Sequence, residues 1–141
     1  MNKTMHLIYT ATTETTGGRE NGVARSADGV LDIRLSDPGS TRIGTNPEQL
    51  IAAGWSASFA SSVAQVARQT GKSLSANVRI HTEVDLSSDD EEFIIGVRLV
   101  IQLPGLERDV ASTLIEEARR ICPFSRATRG NIEVDFTIIC T

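Results

Sequence analysis

The stretch Gly44-Thr-Asn-Pro-Glu-Gln-Leu-Ile-Ala-Ala-Gly-Trp-Ser-Ala-Ser-Phe-Ala-Ser-Ser62 decides how the rest of the chain must fold. It opens as a helix start: Asn46 is a capping residue type, Pro47 suits the first helical position, and Gln49 completes an Asn-x-x-Gln capping pattern. From Leu50 to Ala67 almost every residue is apolar or small, and the first charge after Glu48 is Arg68. A helix that is apolar all round is either buried on all sides or spans a membrane. Serines and alanines interrupt this one too often for a span of ~20 strongly apolar residues. The pattern therefore predicts a central helix from Pro47 to about Gln69, stopped at Gly71 and wrapped by the remainder of the domain and by a second subunit.

The segments on either side supply the wrapping. His6 to Thr15 reads as a strand, Gly17-Gly18 and Asn21-Gly22 bracket a turn carrying Arg19 and Glu20, and Val23 to Ser26 returns. Leu31 to Leu35 alternates apolar and polar residues like a half-buried strand, which completes a small antiparallel meander. Beyond the helix, Val78, Ile80, Thr82 and Val84 share one strand face. Phe93, Ile95, Val97, Leu99, Ile101 and Leu103 share another, across the acidic turn Ser87 to Glu92, so the two form a hairpin. Glu107 to Arg120 carries Val110, Leu114, Ile115 and Ala118 at helical spacing. Pro123 stops that helix and leaves Cys122 at its end. Ile132 to Cys140 alternates as a closing strand. The order strands, helix, hairpin, helix, strand predicts an α+β fold, with antiparallel sheet packed on a long buried central helix.

A chain of 141 residues is one domain's worth, residues 1–141, with room for a real core. A net charge of −4 with no basic cluster argues against nucleic acid as a partner. No signal-peptide pattern follows Met1-Asn-Lys-Thr, so the cytoplasm is the expected compartment, with no membrane association. Two cysteines do not make a disulfide framework, and His6, His81, Cys122 and Cys140 are too scattered for a metal site.

Three blocks carry a family resemblance. Gly44 to Leu50 followed by Ala53-Gly54-Trp55-Ser56-Ala57 resembles the central helix of the organic hydroperoxide resistance (Ohr) branch of the Ohr/OsmC family. Thr16-Gly17-Gly18-Arg19 resembles its N-terminal arginine motif. Cys122-Pro123-Phe124-Ser125-Arg126-Ala127-Thr128-Arg129-Gly130-Asn131 resembles its Cys-Pro-Tyr-Ser-x-Ala-Thr-Arg-Gly-Asn motif, with Phe124 in place of tyrosine. The blocks fall in family order and span essentially the whole chain. One departure stands out: the family's reactive cysteine directly follows the Ser-Ala pair, and here that position is Ser58.

The resemblance implies an intertwined homodimer and a cytoplasmic thiol peroxidase of the oxidative-stress response that reduces organic hydroperoxides. It implies no metal, haem or flavin, and an external dithiol reductant, lipoyl groups carried on proteins. It also assigns roles. Arg19, which alone would read as a solvated turn arginine, becomes the cation over the reactive sulfur. Glu48 complements the helix dipole and, by resemblance, holds that guanidinium. Cys122 is either a buried structural thiol or the family's resolving cysteine. Trp55, Phe59 and Phe124 are expected to line an apolar substrate pocket. Cys140 reads as core and His81 as solvated.

Glu48 lies ten positions before Ser58, ~15 Å along one helix axis, beyond the reach of a glutamate side chain. If both serve one site, Glu48 comes from a partner chain or acts through Arg19. Ser58 alone would read as a helical hydroxyl bonding back to a carbonyl. With every neighbouring motif intact, it points to a peroxidase inactivated by Cys-to-Ser replacement. The alternative is a natural, non-enzymatic paralogue that holds a fatty acid or oxidised lipid.

Overall fold

The computed structural model describes residues 3–141; Met1 and Asn2, which enter the signal-peptide reading, lie outside the described residues. The chain forms two compact units, one ending at Pro47 and one running from Glu48 to Thr141.

In the first unit, β1 (Thr13–Thr16), β2 (Val23–Ser26) and β3 (Asp32–Arg34) form an antiparallel meander in the order β1-β2-β3. The expected turn between β1 and β2 is a single helical turn, α1 (Gly18–Asn21), which carries Arg19. Gly22 closes it where nothing larger fits, because a Cβ there would run into the Gly18 carbonyl oxygen. Arg42 secures the loop after β3, its guanidinium donating to the carbonyls of Leu35 at 2.9 Å and Gly22 at 3.1 Å.

The strand expected over His6–Thr15 forms only from Thr13. Residues 3–12 have strand-like composition, but among the described residues no neighbouring strand completes a ladder with them, and composition alone does not hold a strand in water. Met5, Leu7, Ile8 and Tyr9 are consequently exposed.

The second unit is built on α2, which runs over Pro47–Gln69 as its sequence predicts. Its end is a Schellman motif. The N–H of Lys72 donates to the Ala67 carbonyl at 2.8 Å and that of Gly71 to the Arg68 carbonyl at 3.3 Å, with Gly71 at φ +69°. β4 (Arg79–Ser88) and β5 (Phe93–Gln102) form the expected hairpin, in register from Arg79 opposite Gln102 to Ser88 opposite Phe93. Its turn is tied by Asp89, whose carboxylate accepts from the N–H groups of Glu91 and Glu92; those bonds hold its pKa below the usual carboxylate range. β6 (Val134–Ile139) then joins β5 in parallel, so this three-stranded sheet is mixed, in the order β4-β5-β6. The parallel return follows from the crossover, because α3 (Arg108–Ile121) and α4 (Pro123–Thr128) carry the chain back to the starting end of β5.

Alternation decides what each strand buries. Val97, Leu99, Ile101 and Leu103 point inward with Val134, Phe136 and Ile138. They meet Trp55, Phe59, Val63, Val66 and Ala67 of α2, and Ala111, Leu114, Ile115 and Ala118 of α3, in one core. On the opposite face Arg98 reaches across to Glu83 at 3.0 Å and to both oxygens of Asp85 at 2.6 and 2.9 Å. Those hydrogen bonds lower the Asp85 pKa, and they hold at neutral pH and are lost as pH falls through that lowered value.

Within a single chain the central helix is buried along one face, while Leu50, Ala53, Ala57, Ser61 and Gln65 form an exposed stripe of mostly apolar and small residues.

Candidate functional site

Cys122 is placed by the end of one helix and the beginning of another. Pro123 terminates α3, as its sequence predicts, but it also occupies the first position of α4, where its fixed φ and missing N–H cost nothing. Between them Cys122 is extended, at φ −63° and ψ 125°. Its N–H donates to the Ala118 carbonyl at 2.9 Å, and its own carbonyl accepts from the Arg126 N–H at 2.9 Å. Both backbone groups are thus satisfied, and the thiol is turned fully into the core.

Opposite it stands Ser58, half-buried in the middle of α2. Its Oγ lies 3.8 Å from Cys122 Sγ. The backward bond to a helical carbonyl that a mid-helix serine commonly makes is made instead by Ser62, whose Oγ donates to the Ser58 carbonyl at 3.1 Å. The Ser58 hydroxyl is therefore aimed at the sulfur. A sulfur at the Oγ position would have to approach by roughly 1.8 Å to reach the ~2.05 Å of a disulfide, a displacement within reach of side-chain rotation.

Aromatic residues flank the pair. Trp55, one turn before Ser58, is almost completely buried and stacks on Phe124 with ring centroids 5.9 Å apart and planes inclined by 28°. Phe124 lies over Gly54, where a Cβ would sit 3.5 Å from the ring, an ordinary contact distance. Phe59 packs instead toward the sheet, 5.3 Å from the Phe136 ring, and is fully buried. Of the expected pocket residues, Trp55 and Phe59 are thus core groups, and Phe124 is the one that reaches solvent. The Trp55 indole N–H is buried with no hydrogen-bond partner among the described residues.

The remaining expected residues are placed as follows. Arg19 is half-buried in α1 of the first unit, and Glu48 is half-buried in the first turn of α2. Cys140 packs partly buried against the core, and His81 is exposed on β4. Among the described residues, no group of three or more His, Cys, Asp or Glu side chains gathers to hold a metal.

Arg119, in the last turn of α3, lies with its guanidinium 4.3 Å from the centroid of Phe136, a contact that the sequence does not announce. Only the parallel return of β6 brings those two together.

Comparison with known proteins shows the family and the fold. The OsmC-like protein family model matches residues 37–137. The organic hydroperoxide resistance protein of Xanthomonas axonopodis pv. citri is 43% identical over 136 residues, covering 94% of this chain and 95% of the relative. The crystal structure of the organic hydroperoxide resistance protein OhrB of Bacillus subtilis superposes with a TM-score of 0.87 at 38% identity, covering 94% of this chain and 99% of that one. That of an organic hydroperoxide resistance protein from Elizabethkingia anophelis, with thiocyanate bound, gives 0.89 at 35% identity, covering 97% and 100%.

The stacked pair offers a direct check, because Trp55 is the sole tryptophan. Phe124→Ala is expected to shift the fluorescence to longer wavelength and raise its quenching by acrylamide. The stability cost should be about 1–2 kcal/mol, below that of a fully buried phenylalanine because the ring is partly exposed. Unchanged emission and quenching would mean that Phe124 does not cover the indole.

Proposed function

The chain belongs to the OsmC-like family, on its organic hydroperoxide resistance branch, and from that premise we propose that it is a thiol-peroxidase scaffold whose turnover is arrested at Ser58. The observation that carries this reading is the 3.8 Å contact between Ser58 Oγ and Cys122 Sγ. Position 58 is where the family resemblance puts the reactive cysteine, and Cys122 is where it puts the resolving one.

With cysteine at 58, the chemistry follows from the pair. A thiolate attacks the distal oxygen of an organic hydroperoxide, the O–O bond breaks, and the departing alkoxide takes a proton to become an alcohol. The resulting sulfenic acid is attacked by the Cys122 thiolate; water leaves and a disulfide forms. An external dithiol, for this family lipoyl groups on proteins, is oxidised as it reduces that disulfide. The cycle needs no metal or bound cofactor. A serine hydroxyl breaks it at the first step, being neither an accessible anion at neutral pH nor a redox-active atom.

The same resemblance assigns Arg19 the task of favouring the thiolate and orienting the peroxide, with Glu48 holding its guanidinium. Trp55, Phe59 and Phe124 would give the reacting end an apolar setting. We further propose that residues 1–141 act as one functional domain in a cytoplasmic homodimer. The exposed apolar segment Met5 to Tyr9 and the exposed stripe of α2 support a second copy, since together they leave much apolar surface for water to meet.

In an assay with tert-butyl hydroperoxide and dihydrolipoamide, the chain as it stands should show no multiple turnover. Ser58→Cys should raise the rate by at least about a hundredfold. In that background, Arg19→Ala or Glu48→Ala should lower it by roughly 10- to 100-fold. Robust turnover by the serine chain would contradict the proposal. An inert Ser58→Cys protein would favour a binding role for fatty acid or oxidised lipid. Equal rates for Arg19→Ala and its parent would remove the arginine from the mechanism. The homodimer is tested by sedimentation velocity at low protein concentration, where a well-folded monomer would exclude it.

A further inference from the structure

The two facing positions of the proposed cycle are not equally open, and the difference decides how the cycle is reset. Cys122 has no exposed surface: it belongs to the core that Phe59 and Val63 of α2 share with Ala118 of α3. Its main chain is held on both sides, by its own N–H on the Ala118 carbonyl and by the Arg126 N–H on its carbonyl. Ser58, 3.8 Å away, keeps part of its surface exposed, and its neighbours Ala57 and Ser61 on α2 are exposed beside it. Gly54, over which Phe124 lies, is four residues earlier and on the same face of the helix.

Thiol–disulfide exchange turns this asymmetry into a choice. A thiolate attacks one sulfur of a disulfide through a mixed-disulfide intermediate, and access decides which sulfur that is. At Cys122 no approach is open, because no part of the residue meets solvent. At position 58 the exposed side of the residue is open, and an arriving hydroperoxide must use that side too.

We propose that the external dithiol resets the site by attacking the sulfur at position 58, and that Cys122 is always the leaving group. The proposal rests on the peroxidase reading, with cysteine at 58. In the first step a thiolate of the dithiol bonds to the sulfur at 58. The bond from that sulfur to Cys122 breaks, and Cys122 leaves with the electron pair and takes up a proton. In the second step the dithiol's other thiolate attacks its partner sulfur in the mixed disulfide. The sulfur at 58 leaves as a thiolate, and the dithiol departs as a cyclic disulfide. Two electrons have passed to the protein, and Cys122 never bonds to the reductant. Peroxide and dithiol take turns at one opening, so the reductant needs no second entry.

The test traps the first step with a monothiol, which cannot complete the second. Ser58→Cys is oxidised with one equivalent of organic hydroperoxide, exposed briefly to mercaptoethanol, quenched with acid and alkylated, and its peptides are mapped. Mercaptoethanol should sit on the introduced cysteine and the alkyl group on Cys122, in at least about tenfold excess over the reverse placement. A smaller excess, or the reverse placement, would overturn the proposal. Intact mass before trapping separates the two possible failures: if no disulfide has formed, the peroxidase reading itself is wrong and this proposal falls with it. The chain as it stands supplies a second measurement that needs no variant to fold. Native Cys122 should react with an aromatic disulfide reagent at least about tenfold more slowly than in the denatured chain, read on its own peptide so that Cys140 does not interfere. A smaller difference would mean that Cys122 is open to attack, and would equally overturn the proposal.

Discussion

The contact between Ser58 and Cys122 joins residues sixty-four positions apart, and most of the second unit is arranged so that it can exist. Ser58 is fixed because its neighbours Trp55, Phe59, Ser62 and Val63 are locked into the core along one face of α2. Cys122 is fixed because α3 buries Ala111, Leu114, Ile115 and Ala118 and then ends abruptly at a proline that starts another helix. Backbone bonds on both sides of Cys122 fix the main chain from which its buried side chain projects. Two short side chains therefore meet through the rigidity of what carries them, not through any strength of their own attraction. An oxygen and a sulfur 3.8 Å apart make at most a weak hydrogen bond.

That division of labour explains how a scaffold can keep its form while its chemistry depends on a single atom. Core packing does not distinguish a hydroxyl from a thiol at a half-buried helix position, since neither fills a cavity nor strands a charge there. The proposed redox cycle distinguishes them completely, because only sulfur can accept the peroxide oxygen and then pass the oxidation on as a disulfide. The relatives at 38–43% identity and the shared fold thus speak to the scaffold, whereas residue 58 speaks to the reaction.

Where the sequence was readable, a local physical signal was strong. Pro47 and Gly71 bound α2 to the residue because each has a conformational preference that few neighbours share. The apolar residues at every second position from Phe93 to Leu103 set the inward face of β5. Non-local features were harder to read. Pro123 looked like a stop and was also a start, since nothing in its neighbours' periodicity announces the six-residue helix Pro123–Thr128. The parallel placement of β6 depends on the path of the crossover, and alternation within a strand carries no information about direction. Residues 3–12 have strand composition, but among the described residues no neighbouring strand pairs with them. At the site, the family motifs singled out positions 58 and 122 before any coordinates. The stacking of Arg119 on Phe136 came from tertiary contacts alone.

The most direct measurement of the central claim is the intact mass of a Ser58→Cys chain after brief exposure to one equivalent of organic hydroperoxide. The geometry predicts a loss of about two hydrogens per chain, from a disulfide between the introduced cysteine and Cys122. Peptide mapping should locate that bond within one chain, and a Cys122→Ser partner variant should stop at the sulfenic acid. A Ser58→Cys protein that instead forms disulfides through Cys140, or between chains, or none at all, would contradict the account of positions 58 and 122 as a facing pair.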